Sequence, residues 1–233
     1  MPYKYNCLLC NAEIVYSQHA EQKNCSYCNK SFATSTLCKN GHFICDHCHS
    51  KDANDIILET CLNSLSVNPF ELAIQLMKHP SVKMHGSEHH FLVPAVLITS
   101  YLNLTGQSHG KQDMLTKASQ RSKQILGGFC GFYGSCGAGI GVGIALSILT
   151  NTTPLSTNSR GASNGATADA LMKISKYGGP RCCKRDTLSA LESAVESMNS
   201  YLGCNLKVDD SISCVFYKLN KHCIKSECKY YNY

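Results

Sequence analysis

Seven cysteines and one histidine fall in four close pairs within the first fifty residues, in "CLLC", "CSYC" and "CKNGHFICDHC". The pairs are Cys7/Cys10, Cys25/Cys28, Cys38/His42 and Cys45/Cys48. Two residues between paired thiols let a tight turn aim both sulfurs at one ion, and eight such ligands suffice for two tetrahedral zinc ions. A segment this short has no core of its own, so bound metal supplies its folding free energy. The reading is a zinc module over residues 1–50, ribbon-like or cross-braced, because the spacing leaves both pairings open. "CDHCH" also matches the C-x-x-C-H signature of haem attachment, but six further ligands in step favour zinc.

Sixteen cysteines are spread over 233 residues, and a nearly cysteine-free stretch follows the first group. The start, "MPYKYNCLLC", has no apolar signal region. The longest apolar run, Cys136 to Leu149, is shorter than the roughly 20 residues of a membrane span. The expectation is therefore a cytoplasmic protein with no membrane partner. In a reducing compartment its thiols bind metal or do chemistry and do not form structural disulfides. Charged residues make up 16% of the chain and the net charge is +6, which permits an anionic or nucleic-acid partner without requiring one. Lys218, Lys221, Lys225 and Lys229 form the main basic concentration and read as a solvated face.

Beyond residue 51 the apolar spacing is helical, and the expected class is mainly α. Helices are expected over 53–64, from "NPFELAIQLMK" with Asn68 as cap, and from "SEHHFLVPAVLITSYLNL" with Ser87 as cap and a kink at Pro94. Others are expected over 111–126, 136–149, 163–177 and 186–202. Strands do not alternate with these segments, which argues against a dinucleotide-binding sheet. The α-helical domain is taken as 51–203, with a cysteine-rich tail over 204–233 that carries short β-like pieces and packs on it. Cys61, on an apolar helical face, reads as core.

Three motifs carry candidate chemistry. "MHGSEHHFLVP" offers His85, Glu88, His89 and His90 at a helix start. It formally contains the H-x-x-E-H order of inverted zinc proteases, although Gly86 and Ser87 place His85 outside the helix. "GGFCGFYGSCGAGIGVG" holds Cys130 and Cys136 among glycines, which suit either a cofactor against the backbone or tight helix packing. "GGPRCCKRD" sets Cys182 and Cys183 between Arg181 and Lys184–Arg185, just ahead of a helix expected from Asp186 or Thr187. Cations and a helix dipole there favour thiolate, and the cations also suit an anionic substrate or a cluster's charge. Cys214, Cys223 and Cys228 in the tail need one further thiol to complete a four-cysteine site for iron–sulfur or zinc.

With its paired-cysteine module, "MHGSEHHFLVPAVL", "GGFCGFYGSCGAGIGVGIALSILT" and "GGPRCCKRD", the chain resembles an uncharacterised prokaryotic family, a domain of unknown function found largely in anaerobes. That resemblance implies that the domain is one unit. It also implies that His85, Glu88, His89, Cys130, Cys136, Cys182 and Cys183 are family motif residues, and it supplies no reaction. "CGAGIGVGIAL" is similar to the "CGA" helix of small redox-associated cysteine-rich proteins.

The functional expectation is a redox or sulfur-transfer enzyme, desulfidation included, acting on an anionic small molecule or modified base. Cys130, Cys136, Cys182 and Cys183 would form its thiol wall, as ligands of a [4Fe–4S] cluster or as reactive groups. Arg181, Lys184 and Arg185 would hold the anion, while His85, Glu88 and His89 would handle protons or a further metal. The alternatives are a non-catalytic zinc protein docking RNA or a protein partner, and a zinc hydrolase built on the H-x-x-E-H order.

Overall fold

The computed structural model describes residues 7, 9–10, 12–45, 48, 52–107, 109–208 and 211–232. It opens with an antiparallel hairpin, β1 (Ile14–Asn24) against β2 (Ser31–Cys38), whose register shifts between Tyr16 and Glu21. Among the described residues eight α-helices follow: α1 (Ala53–Asn63), α2 (Pro69–Met77), α3 (Glu88–Leu104), α4 (Lys111–Ser122), α5 (Phe129–Phe132), α6 (Gly137–Leu149), α7 (Asn158–Ser175) and α8 (Cys183–Leu202). The mainly α class is as expected. Asn68 caps α2 through its side-chain oxygen, which accepts from the Phe70 and Glu71 amides at 3.0 and 3.2 Å.

Helix α3 is apolar nearly all round and is the central element, packed against α1, α2, α4, α6 and α8. Its Pro94 cannot donate to the carbonyl four residues back, that of His90. The Ser122 hydroxyl of α4 donates to that carbonyl instead, at 3.1 Å. The rod of α6 lies against α3 and α7 on alternating glycines. A Cβ on Gly137 would strike the His90 ring, and one on Gly141 would lie 2.8 Å from the Pro94 ring. On the opposite side a Cβ on Gly139 would lie 2.8 Å from the Leu171 side chain, and one on Gly143 would strike Thr167. The glycines within α6 thus serve tight helix packing, one of the two sequence readings of this run.

Several boundaries differ from expectation. Helix α4 ends at Ser122, and α5 is an unforeseen turn of helix carrying Cys130. Helix α7 starts at Asn158, because small residues over 158–162 extend it outward without needing an apolar face. Helix α8 starts at Cys183, so Cys182 is its cap and Lys184 and Arg185 lie within its first turn. Ser87 makes no side-chain capping bond to α3. The tail has no strand among the described residues. It is built of turns with 3₁₀ segments at Tyr217–Leu219 and Lys225–Glu227. Glu192 anchors it, accepting from Tyr230 Oη at 3.0 Å and pairing with Lys229 at 2.8 Å. Lys229 is therefore not part of a merely solvated face. Among the described residues no helix is long and apolar enough to cross a membrane.

The close approach of α6 to α7, and the proline in α3, each have a measurable consequence. Gly143→Ala forces a methyl group onto Thr167 and to 2.8 Å from the Ser163 carbonyl, and such overpacking costs about 1–3 kcal/mol. Ser122→Ala leaves the His90 carbonyl without its donor, at a cost of about 1–3 kcal/mol. Denaturant titration followed by far-UV circular dichroism is expected to show both losses, with helix content unchanged in buffer.

Candidate metal centres and thiol pockets

The hairpin sorts the eight N-terminal ligands into two groups in which all ligand atoms lie within 4.8 Å of one another: Cys7, Cys10, Cys38 and His42, and Cys25, Cys28, Cys45 and Cys48. First and third pairs meet, as do second and fourth, so the module is cross-braced. In the first group the Cys10 and Cys38 sulfurs are 3.7 Å apart, and His42 Nδ1 stands 3.3, 3.4 and 3.8 Å from Cys10, Cys38 and Cys7. In the second, the Cys28 and Cys45 sulfurs are 3.9 Å apart. Zinc–sulfur bonds of about 2.3 Å at tetrahedral angles place sulfurs about 3.8 Å apart, so the spacing fits one four-coordinate ion per group. Backbone amides back the sulfurs: His42 N–H points at Cys38 Sγ at 3.3 Å and Cys45 N–H at Cys25 Sγ at 3.4 Å. Thiols this crowded resist joint ionisation without a cation. Burial, with the Cys38 and Cys10 thiols, pushes Cys7 up to about 11. Burial also acts on Cys10, but the Ala12 amide and His42 outweigh it and bring Cys10 down to about 6.

The second group sits against α2. Tyr27 Oη donates to the Gln75 carbonyl at 3.3 Å, and Gln75 Nε2 donates to the Ser26 carbonyl at 2.8 Å. His79 Nε2–H donates to the Cys48 carbonyl at 2.9 Å.

The vicinal cysteines part company. Cys183 joins Cys130 and Cys136 around one pocket, with His90, Arg181 and Asp186 on its wall. Cys182 lines a separate cavity with Cys214, Cys223 and Cys228. The expected wall of Cys130, Cys136, Cys182 and Cys183 is therefore three thiols, and the tail triad finds its fourth sulfur in Cys182. Cys204, the remaining tail thiol, stands apart and donates to Asn199 Oδ1 at 3.2 Å.

The basic residues of "PRCCKRD" also divide. Arg181 is exposed and lines the Cys183 pocket. Lys184 is only 2% exposed, and its ammonium donates to the Met77 and Val82 carbonyls at 2.9 Å each while standing 5.0 Å from the centre of the Phe216 ring. Arg185 is buried too: Nε pairs with Asp186 at 3.2 Å, and Nη2 donates to the Gly178 and Pro180 carbonyls at 3.3 Å. Neither reaches an anion in the Cys183 pocket, contrary to the sequence reading, because the helix begins early enough to turn both inward. Burial, not the cations, governs the thiols: it pushes Cys182 up to about 11 and Cys136 up to about 12, and it raises Cys183. The expected depression of Cys182 and Cys183 is overturned.

His85, Glu88 and His89 do not converge, although His89 lines the Cys183 pocket. Fully buried His89 donates from Nε2 to the Lys83 carbonyl at 3.1 Å and accepts at Nδ1 from Thr187 Oγ1 at 2.9 Å, so both ring nitrogens are used. Glu88 accepts from the Lys83 amide at 2.7 Å, folded back over Gly86. His85 faces the tail, near Asn220 and His222. The inverted zinc-protease arrangement is thus ruled out: His89 has no free nitrogen. The sequence reading names His90 in this motif without giving it a role, and it does not foresee Asp186 as a pocket residue. His90 Nδ1–H donates to the Ile125 carbonyl at 3.1 Å, which leaves Nε2 with the lone pair. The signal available was Gly137, whose missing side chain makes room for that ring.

Two measurements follow from this geometry. Cys28→Ser and Cys38→Ser are each expected to remove one equivalent of divalent metal by elemental analysis and to leave the other. Burial first, then the Lys184 charge, pull His89 down to about 3, whereas unfolded histidine titrates near 6.5. The unfolded state therefore binds the extra proton below pH 6.5, and the stability that neutral His89 contributes is lost as pH falls from there toward 3. The expected slope is up to about 1.4 kcal/mol per pH unit, and it is absent from His89→Gln in paired denaturation curves at pH 6 and 5.

The family model that matches this chain is described as a family of unknown function, DUF5714, and covers residues 57–231. The paired-cysteine module precedes the matched range. Neither a curated protein nor a solved structure matches the chain. From α1 to the end of the tail, both thiol sites included, the chain belongs to DUF5714, a family of unknown function.

Proposed function

We propose that this protein is a thiol-dependent redox or sulfur-transfer enzyme acting on a small anionic molecule, with two zinc ions bracing its N-terminal module. The observation that carries the reading is the pocket where Cys130, Cys136 and Cys183 meet His90, Asp186 and Arg181. Three thiols drawn from the α5 turn, the cap of α6 and the first residue of α8 face one space of about 220 Å³. Buried structural cysteines have no need to converge, and a space below the usual ligand-pocket range admits only a few substrate atoms at a time.

Each group has a role that follows from its chemistry. Arg181, exposed on the wall, attracts the anion. The Gly86 amide donates to Cys183 and, with the start of α8, stabilises its thiolate against the cost of burial. His90, held neutral by burial and fixed by the Ile125 carbonyl, accepts a thiol proton at Nε2. The thiolate attacks a sulfur of the substrate, and a second thiol of the pocket displaces that sulfur. The protein gains one S–S bond and the substrate's S–S bond breaks. The two electrons leave with the reduced substrate sulfurs, and the two thiol protons go with them. Zinc is the ion of choice for the N-terminal groups because Cys₃His and Cys₄ tetrahedra are its closed structural sites.

The test is selective oxidation. Diamide treatment followed by differential alkylation and peptide mapping is expected to find a disulfide within Cys130, Cys136 and Cys183, reversed by dithiothreitol. His90→Asn is expected to slow alkylation of the pocket thiols at neutral pH by on the order of 10²-fold, the usual contribution of a general base. Three pocket thiols that stay reduced while the half-buried Cys204 oxidises would overturn the reading.

A further inference from the structure

We propose that Cys182, Cys214, Cys223 and Cys228 hold an iron–sulfur cluster in the cavity between the start of α8 and the tail. The four thiols come from two segments more than thirty residues apart in sequence and line one space. Its remaining wall is largely apolar and aromatic, including Leu188, Phe216, Ile224, Tyr230 and Tyr231. A dry, apolar shell of this kind surrounds protein-bound clusters and sets their potential.

Three observations favour a cluster over four idle thiols or a single ion. The first is the set of donors. The Phe216 amide points at Cys214 Sγ at 3.4 Å and the Lys225 amide at Cys223 Sγ at 3.4 Å. The Arg185 amide serves Cys182 and the Tyr230 amide serves Cys228. Every one of the four sulfurs thus receives a backbone N–H, the arrangement that supports thiolate ligands and not neutral thiols.

The second is spacing. Both N-terminal groups keep all their ligand atoms within 4.8 Å of one another, and the four tail-cavity thiols are not among the sets that do so. A single tetrahedral ion needs sulfurs about 3.8 Å apart. A cluster binds each sulfur to its own iron, and so spreads the four more widely.

The third is charge. Lys184 and Arg185 are both buried beside this cavity, and the buried carboxylate next to them, Asp186, is paired with Arg185. Among the described residues Lys184 has carbonyl and aromatic partners but no carboxylate within ion-pair distance. The Glu88 carboxylate, beyond ion-pair distance, is the main charge that favours this ammonium, and a cluster with four thiolates is a net anion that adds a second counter-charge to a buried cation.

The position of this site also defines what it does. Cys182 and Cys183 are neighbours, with Cα atoms about 3.8 Å apart, and they face different sites. A cluster on Cys182 therefore lies one residue from the thiol pocket. There it relays electrons one at a time from an external one-electron carrier. Two such transfers, with two protons, break the pocket disulfide and restore two thiols. This relay rests on the thiol chemistry proposed above, whereas the cluster itself does not.

The experiment separates the two. Protein purified without oxygen, or reconstituted with ferrous iron and sulfide, is analysed for iron, acid-labile sulfide, zinc and visible absorption. The expected result is about four irons and four sulfides per chain, as for a four-thiolate cubane, with a broad visible band that bleaches on reduction. Cys223→Ser and Cys228→Ser are expected to lose at least four-fifths of the iron and keep both N-terminal metal equivalents. Cys130→Ser, Cys136→Ser and Cys183→Ser are expected to keep the iron. Cys223, the partly exposed ligand on a turn, provides a variant whose fold is checked by its retained N-terminal metal and helical dichroism. Iron lost instead with the Cys130, Cys136 or Cys183 variant would overturn the assignment. So would a protein that refuses iron and sulfide, including one that takes a third zinc lost in Cys223→Ser. The iron count is indifferent to whether the pocket thiols form a disulfide, so failure of either reading leaves the other standing.

Discussion

Two consecutive residues at the start of a helix cannot aim their side chains at one place, and α8 begins between Cys182 and Cys183. Cys182 is the extended cap and Cys183 the first helical residue, while successive helical side chains are turned by about 100°. One thiol is thereby delivered to each side of the same turn. What holds the turn is buried charge. Lys184 bonds the carbonyls at the end of α2 and in the loop after it, and Arg185 bonds the carbonyls of the Gly178–Pro180 turn. The cations that look in sequence like substrate ligands are the fasteners that separate the two thiols.

The Cys183 pocket depends on a second constraint, the approach of α6 to α3. Gly137 and Gly141 let the helix axis come close enough for Cys136, the cap of α6, to share a wall with His90 of α3. Pro94 takes part in the same contact, and the carbonyl it leaves without a helical partner is that of His90 itself. The ring orientation of His90 is then set at three points: its Nδ1–H on Ile125, its backbone carbonyl on Ser122, and the space over Gly137. Small residues in this helix are therefore a means of placing a side chain of the neighbouring helix.

Much of this is legible in the residues. The paired ligands announce room for two metal ions, because eight ligands in four close pairs match two tetrahedral sites. The helices of α1, α2, α3 and α6 follow from apolar period and caps. Cross-bracing is not legible: it depends on the hairpin, whose strands are polar and exposed and carry no apolar alternation. The start of α8 is missed by three residues because two thiols and two cations offer no apolar period, although Lys184 and Arg185 are buried there. That shift alone reverses the reading of both cations and divides the four expected thiols into three and one. His89 illustrates the reverse error. Its two ring nitrogens are spent on a buried hydrogen-bond bridge, whereas its neighbour His90, outside the H-x-x-E-H order, keeps Nε2 free at the pocket wall.

The end of α2 ties the metal module to the thiol sites through a short run of polar contacts. The Gln75 carbonyl accepts from Tyr27, in the turn that carries Cys25 and Cys28. His79 donates to the carbonyl of Cys48 and meets the Tyr27 ring edge-on at 4.8 Å. Between them the Met77 carbonyl accepts from Lys184. Five residues of backbone thus contact the second metal group on one side and the first turn of α8 on the other. Cys25, Cys28, Cys45 and Cys48 are buried and crowded together, so an ion held by them would fix the turn around Tyr27. The position of Met77, and with it the seat of the Lys184 ammonium, is then defined from both ends. A module outside the family's matched range is in this way part of what places the family's vicinal cysteines.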